Sequence, residues 1–166
     1  MSPIEKPEPS PLDHLLRLLD EGYAKLAWHG PNLRGSLRGV TPEQAGWRPA
    51  RGRHNIWEIA VHAAYWKYAV RRRLTGARRG SFVYPGSNWF ARPDRDGTIS
   101  LRRDLAVLEE EHRLLRETVA EMAPERLGEL SPKKKWTLGD MIAGIAMHDV
   151  YHAGQIQLLK RLQKKR

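Results

Sequence analysis

The sequence predicts an all-α protein built as a four-helix bundle. Four stretches of the 166-residue chain repeat apolar side chains every three or four positions, which is the period of a helix that buries one face. No stretch shows the alternation of apolar and polar residues that is typical of a strand. A fifth stretch, residues 76–98, has no period and is long enough to connect the second and third helices across the whole bundle.

Helix one is predicted from a strong start signal. Ser10 is a good N-cap, Pro11 suits the first turn, and Asp13 stands where it can complete a capping box. An apolar stripe then extends the predicted helix toward the Gly30-Pro31 pair. The stripe consists of Leu12, Leu15, Leu16, Leu19, Tyr23 and Leu26.

Helix two is predicted after a segment rich in glycine and proline. That segment allows only short helical pieces, at residues 33–37 and after Thr41. Asn55 is the predicted N-cap of helix two, with Glu58 as the reciprocal residue of a capping box. Gly76 ends the helix.

Helices three and four complete the bundle. Helix three begins near Ser100 and ends before Pro124, and helix four opens with Thr137 and Asp140. The long connection between helices two and three allows these two helices to be parallel, since it must span roughly 30 Å for a 20-residue helix. We therefore expect the order up, down, down, up.

Length and composition indicate one globular domain, residues 10–166, after a disordered lead-in at residues 1–9. Cysteine is absent, which excludes disulfides, thiolate ligands and a cysteine nucleophile. No apolar run approaches the roughly 18 residues of a membrane span, and the N-terminus lacks the apolar core of a signal peptide. We expect a cytoplasmic protein without a membrane partner.

The net charge of +10 raises the question of nucleic-acid binding. The basic residues form separate clusters, mostly at predicted helix ends, where cations complement the helix dipole. The clusters are residues 71–73, 78–79, 133–135 and 160–166. No nucleic-acid-binding motif accompanies them, so nucleic acid ranks below a small molecule as the expected partner.

Helix four carries polar side chains on its apolar face. His148, Asp149 and His152 fall within the same sector of about 120° as its apolar stripe, at about 100° of rotation per residue. That stripe consists of Leu138, Met141, Ile142, Ile145, Ile156, Leu159 and Leu162. Unpaired buried polar groups cost about 1–3 kcal/mol each, and two histidines four residues apart can reach one metal ion.

A third histidine occupies the inward face of helix two. His62 shares helical spacing with Ile59, Trp66, Ala69 and Val70. Three imidazoles on two helices, with one coordination position left over, are typical of a catalytic rather than a structural metal site. Hydrogen-bonded core histidines are the alternative for His148 and His152. His112, on the apolar face of helix three, is the residue that most complicates the assignment.

The histidines lie in runs that resemble a known family. The runs NIWEIAVHAAYWKY (residues 55–68) and HDVYHAGQIQLL (residues 148–159), together with residues 27–35 and 81–89, resemble the DinB-like (YfiT-like) four-helix proteins. The likeness covers residues 12–163. It implies that the family's three metal histidines correspond to His62, His148 and His152, and that the protein is a homodimer.

The resemblance also implies a function. Relatives include transferases and isomerases that use low-molecular-weight thiols such as bacillithiol or mycothiol, and others are described as hydrolases. The leading hypothesis is a metal-dependent enzyme in which zinc or nickel, or else iron or copper, activates a thiol or water. The alternative is a non-catalytic metal-binding or stress-response protein.

Other polar and aromatic residues near the histidines are candidates for supporting roles. Asp149 is expected to form a hydrogen bond to another helix or to a ligand imidazole. Glu58 is a candidate general base, although the capping box is the favoured role. The candidates for lining a substrate pocket are Tyr65, Trp66, Asn88, Trp89 and Gln155, and Asn88, Trp89 and Phe90 are expected to cover it.

Overall fold

All regular structure in the described part of the chain is helical. The structure, a computed structural model, describes residues 8–93, 100–131 and 135–164, and contains one isolated β-bridge between Leu130 and Thr137. The all-α prediction is therefore confirmed. Most of the predicted lead-in at residues 1–9 lies outside the described residues. Within those ranges, no helix combines the length and the apolar composition needed to cross a membrane.

Four long helices form the bundle, and shorter pieces connect them. The long helices are α1 (Pro11–Tyr23), α4 (Ile56–Thr75), α5 (Leu101–Ala120) and α6 (Leu138–Gln163). The shorter pieces are α2 (Leu33–Leu37), α3 (Pro42–Gly46) and a 3₁₀ turn (Pro124–Gly128). Both short helices occur where the sequence predicted them.

The predicted helix starts are confirmed by their caps. The side chains of Ser10, Asn55 and Thr137 each accept a hydrogen bond from the third backbone N–H of the helix that follows. Gly76 ends α4 with φ 72°, a left-handed conformation that glycine adopts without steric cost.

Helix α1 is shorter than predicted, since it ends at Tyr23 rather than near Gly30. Lys25 N–H donates to the carbonyl of Asp20, and the Asn32 side chain, which caps α2, donates to the Lys25 carbonyl. The chain turns here so that α2 can pack against α6. Leu26, which the sequence pattern placed on the apolar stripe, is consequently exposed.

Pairs of side chains between helices indicate how the helices run. Contacts of α4 with α5 follow the order of parallel helices, and contacts of α1 with α5 follow the order of antiparallel helices. The pairs are Trp57 with Asp104 and Lys67 with His112 between α4 and α5, and Asp20 with Arg116 and Tyr23 with Glu109 between α1 and α5. The crossover between α4 and α5 therefore connects two helices of the same sense.

The described part of the crossover, residues 77–93, is held by a buried carboxylate. Asp104 on α5 accepts hydrogen bonds from Trp57 Nε1 of α4 and from two crossover side chains, Tyr84 and Arg92. Phe90 packs into the core beside these groups. Residues 77–93 have no regular hydrogen bonding of their own, so these side chains fix their path.

Glu58 provides a second attachment, and here the prediction of a capping box is wrong. Its carboxylate accepts two hydrogen bonds from Arg48, at 2.8 and 2.7 Å, and pairs with His54 Nδ1 at 2.9 Å. The backbone N–H of Arg92 donates to the same carboxylate. Glu58 thus connects the start of α4 to the preceding loop and to the end of the crossover, instead of bonding the backbone of Asn55.

A polar cluster in the centre of the bundle receives one side chain from each long helix. Lys67 of α4 and Asp149 of α6 form a completely buried ion pair. Lys67 Nζ also lies 3.4 Å from Nδ1 of His112 on α5 and 4.9 Å from the ring centroid of Tyr23 on α1. Burial lowers the pKa of Lys67 and raises the pKa of Asp149, and each charge opposes the shift of the other.

Helix α1 approaches this cluster closely because it carries a glycine. A Cβ at Gly22 would lie 2.8 Å from the carbonyl oxygen of Ala146 and 3.6 Å from Cβ of Asp149. Any other residue would push α1 away from α6 at the level of the ion pair.

Removing one member of the buried pair should destabilise the protein strongly. Lys67→Met leaves the Asp149 carboxyl without its partner, so we expect a loss of about 3–5 kcal/mol in the free energy of unfolding. The double variant Lys67→Met/Asp149→Leu removes both charges and should recover most of that loss. Urea unfolding of the two variants and the wild type measures the difference. Equal midpoints for Lys67→Met and the wild type would contradict the role of the pair.

Glu58 should contribute stability that depends on pH. Burial raises the pKa of its carboxyl, but hydrogen bonds from Arg48 and His54 outweigh burial and bring the pKa to about 2, below the ordinary value of 4.5. The carboxylate therefore stabilises the fold above about pH 4.5, and this contribution disappears as the pH falls through about 2. Glu58→Gln should be less stable than the wild type at pH 7, by an amount that shrinks below pH 4.5.

Urea unfolding at pH 7 and at pH 3 measures this difference. Exposed Glu125 supplies the matched control. Glu125→Gln removes the same charge and should leave the urea midpoint nearly unchanged at both pH values. A Glu58→Gln deficit that stayed constant from pH 7 to pH 3 would show that the packing of the side chain, rather than its charge, is responsible.

Candidate metal centre

Three imidazoles meet between α4 and α6. Nε2 of His148 lies 3.2 Å from Nε2 of His62 and 3.0 Å from Nε2 of His152. One nitrogen from each ring lies within 4.8 Å of the corresponding nitrogen of the other two. His62 and His152 are buried and His148 is half-buried. The sequence prediction that these three side chains converge is thus what the structure shows.

Two of the rings are oriented by oxygen acceptors. His62 donates from Nδ1 to the backbone carbonyl of Asn88 at 2.9 Å, and His152 donates from Nδ1 to Oε1 of Gln155 at 2.7 Å. Because each Nδ1 carries the proton, Nε2 of each neutral ring has a free lone pair. Both lone pairs belong to the nitrogens that face His148.

The environment keeps the three rings neutral at pH 7. Burial lowers the pKa of His62 to about 4, and burial together with the neighbouring imidazoles lowers the pKa of His148 to about 3. Burial also lowers the pKa of His152. Neutral imidazole is the form that binds a metal ion.

The donor set fits a divalent ion better than it fits a closed network of hydrogen bonds. A single proton on Nε2 of His148 can satisfy only one of the two lone pairs that face it. Nδ1 of His148 is buried without a partner among the described residues. In a tetrahedral site with metal–nitrogen distances of about 2.0–2.1 Å, ligand nitrogens are separated by roughly 3.3 Å. The separations of 3.2 and 3.0 Å from Nε2 of His148 are close to that value.

The crossover supplies one wall of the site. The ring of Trp89 stacks on His62, with centroids 3.8 Å apart, and also on His54 at 3.6 Å. Asn88 adopts φ 67°, which asparagine tolerates, and its side chain accepts a hydrogen bond from Trp66 Nε1. Asn88 and Trp89 thus lie against the histidines. Phe90 does not, because it packs in the core with Tyr65 and Phe82.

An apolar cavity of about 340 Å³ opens beside His148. Helix α4 contributes Trp66 to its wall, α6 contributes Gly144 and Ile145, and the segment before α6 contributes Trp136. The volume lies within the range of about 300–1,000 Å³ that is usual for ligand pockets. Trp66, a candidate pocket residue from the sequence, therefore borders both a histidine and a cavity.

The other candidate pocket residues lie elsewhere. Trp89 and Gln155 line a second cavity of about 430 Å³ beside His54, and none of the three imidazoles lines it. Tyr65 lines neither of these two cavities, since its ring packs against Phe82 and Phe90. The periodicity of α4 could place Tyr65 near His62 but could not tell which helix or loop would face it.

The two candidate carboxylates have other partners. Glu58 is engaged with Arg48 and His54, so a role as general base has no support from its contacts. Asp149 bonds Lys67 rather than a ligand imidazole, which corresponds to the alternative of a bond to another helix. His112 stacks on Tyr23, 3.8 Å between centroids, and belongs to the central cluster, not to the metal centre.

Several residues at or near the site were not predicted from the sequence. The carbonyl of Asn88 carries no sequence signal, since every residue has one. Lys67 falls in an otherwise apolar stretch of α4. Because a buried lysine implies a buried acid, this position could have predicted an ion pair. Trp136 and Gly144 follow no pattern that would place them beside His148.

The comparison with protein families agrees with the helical fold. The family model described as the DinB superfamily matches residues 25–156, a range that contains the crossover, α4, α5 and all three histidines. Neither the comparison with curated proteins nor the comparison with solved structures gave a match. Since the family model covers well over half of the chain, the protein belongs to the DinB superfamily.

Proposed function

We propose that His62, His148 and His152 bind one divalent metal ion, and that the protein is a metal-dependent enzyme acting on a small molecule. The observation that supports this proposal is the meeting of three Nε2 atoms, two of which have their ring protons held on the far side by Asn88 and Gln155. Membership of the DinB superfamily is compatible with it.

The donor set favours particular ions. Three neutral imidazoles suit borderline metals, so zinc and nickel are the first candidates, and iron and copper are the next. Three protein ligands leave one position of a tetrahedral ion for a substrate or water, which is the pattern of catalytic sites. Magnesium and calcium, which prefer oxygen ligands, are disfavoured.

The proposed reaction uses a nucleophile from outside the chain. A divalent ion supplies Lewis acidity, which lowers the pKa of a thiol or of water. The chain has no cysteine, so a thiol must come from a low-molecular-weight cosubstrate. The protein's own contribution is to hold the imidazoles in one tautomer and to offer the apolar cavity beside His148. Thiol transfer is the first reaction class and hydrolysis is the second.

The burial of the site favours one competing function. His62 and His152 are buried, and Trp89 lies flat against His62. In the competing function, the ion has a purely structural role and holds α4 against α6. A protein of this kind would bind metal without turnover. A homodimer, a cytoplasmic location and the low rank of nucleic-acid binding stay predictions from the sequence.

Replacing the histidines should abolish metal binding. Purified wild type should carry about one divalent ion per chain, and His62→Ala, His148→Ala and His152→Ala should each lose it, because two imidazoles hold an ion far more weakly than three. Elemental analysis after dialysis measures the content. His14→Ala, at an exposed position on α1, is the control and should retain the ion.

Full occupancy in any of the three variants would refute the ligand assignment. The wild type should then be screened with bacillithiol, mycothiol and glutathione against electrophiles, and with ester substrates. Metal-dependent conjugation supports the transferase, and metal-dependent ester cleavage supports the hydrolase. Bound metal without any turnover would favour the non-catalytic function.

Gln155 should tune metal affinity without binding the ion. Gln155→Leu removes the acceptor that fixes the ring of His152, and loss of such a partner typically lowers metal affinity about 10–100-fold. Competition with a chelator of known zinc affinity measures this effect. Gln157→Leu makes the same change on the same helix, at a side chain that bonds Ser36 instead, and should leave zinc affinity unchanged.

A further inference from the structure

The cavity beside His148 combines an apolar interior with positive charge. Its apolar lining consists of Trp66, Val70, Trp136, Met141, Gly144 and Ile145. Arg73 and Lys135 line the same cavity, and no carboxylate of the described residues does. The pocket therefore offers contacts to a hydrophobic body and to a negative charge within one small volume.

Both cations are held in place by aromatic rings. The Arg73 guanidinium carbon lies 5.6 Å from the ring centroid of Trp66, and Lys135 Nζ lies 5.1 Å from the ring centroid of Trp136. Cation–π contacts of this kind orient a charge without neutralising it. Each indole thus lines the cavity and also contacts one of its two cations.

Arg73 has no anionic partner in the described part of the chain, in contrast to Arg71 two residues before it and to Arg116. On α4, Arg71 pairs with Glu111, and on α5, Arg116 pairs with Asp20. No ion pair between described residues includes Arg73 or Lys135. Burial and the positive charges of Arg72 and Arg79 lower the pKa of Arg73, so a nearby anion would relieve an unfavourable environment.

We propose that this cavity binds an apolar molecule with a single anionic group, with Arg73 and Lys135 binding the anion and the two indoles binding the apolar body. The inference rests on the proposed function, since His148 lines the same cavity and would bring the bound molecule next to the metal ligands. It narrows the substrate class to amphiphilic anions such as aryl or alkyl carboxylates.

Two ligands that differ only in charge test the proposal. Octanoate and octanamide have the same chain length, and their binding to the purified, metal-containing protein can be measured by calorimetry. Octanoate should bind at least about tenfold more tightly, because charge-assisted hydrogen bonds are the stronger ones. Arg73→Gln and Lys135→Gln should each reduce this preference and leave octanamide binding unchanged. Equal affinity of the two ligands for the wild type would overturn the proposal.

A charge control and a cavity-filling variant complete the design. Arg102→Gln removes the same charge from an exposed position on α5 and should keep the full preference for octanoate. A Cβ at Gly144 would meet no atom within 4 Å, so Gly144→Leu can enter the cavity without disturbing the helix. It should weaken both ligands at least about tenfold while the unfolding midpoint is retained. Undiminished binding of both ligands would place them elsewhere.

The same samples separate this inference from the proposed metal site. A carboxylate could instead bind the metal directly. In that case octanoate affinity would be lost with a chelator and unchanged by Arg73→Gln, and this result would overturn the cavity assignment. Metal content that depends on the histidines, together with no preference for octanoate, would leave the proposed function standing and reject the inference. Absence of metal from the wild type would reject the proposed function, whereas a preference for octanoate that depends on Arg73 would still support the cavity as an anion site.

Discussion

The ion pair between Lys67 and Asp149 is the interaction on which the rest of the bundle depends. Both side chains are completely buried, so neither charge can turn to solvent if the helices shift. Sliding α6 by one residue along α4 would separate them and leave two unpaired charges in the core, which costs several kcal/mol. The pair therefore permits only one alignment of α4 with α6. Asp149 directly follows His148, so the same alignment places His148 and His152 opposite His62.

The remaining two long helices, α1 and α5, pack against the same pair. His112 of α5 and Tyr23 of α1 cover Lys67, and Gly22 lets α1 come close to Asp149. A core made only of leucine and isoleucine could pack in several registers with similar energy, whereas a buried charged pair discriminates among them. In this protein the polar cluster and the apolar core have different roles. The apolar residues supply most of the driving force, and the cluster specifies the arrangement.

An irregular segment completes the site because only it can bring a free carbonyl to His62. Helical carbonyls are already bonded within their helices, so they are poor acceptors for a ligand imidazole. The carbonyl of Asn88 is available because the crossover forms no helix or strand there. The path of the crossover is fixed elsewhere, by Asp104 and Glu58 acting on Tyr84 and Arg92. Buried carboxylates that take no part in the site thus determine how one of its imidazoles is held.

The cavity beside His148 and the cavity beside Trp89 have no lining residue in common. Both linings are largely apolar, but the first has two cations at indole rings, whereas the second has one, Arg53. Under the inference that Arg73 and Lys135 bind an anionic group, the cavity beside His148 prefers apolar anions as ligands. Of the basic residues behind the net charge of +10, Arg73 and Lys135 are the two that line this cavity.

The sequence by itself determined the helices, their caps and the three histidines. These features depend on residues close together in the chain: a 3.6-residue period, a capping side chain three positions before its partner, and histidines four apart on one face. Tertiary structure alone decided what the polar side chains bond. Glu58 had a local partner in a capping box but binds Arg48 and His54 instead, and Tyr65 turned toward Phe82 and Phe90. The carbonyl that orients His62 and the cations of the cavity come from segments distant in sequence, and a local pattern carries no information about which distant segment will pack against it.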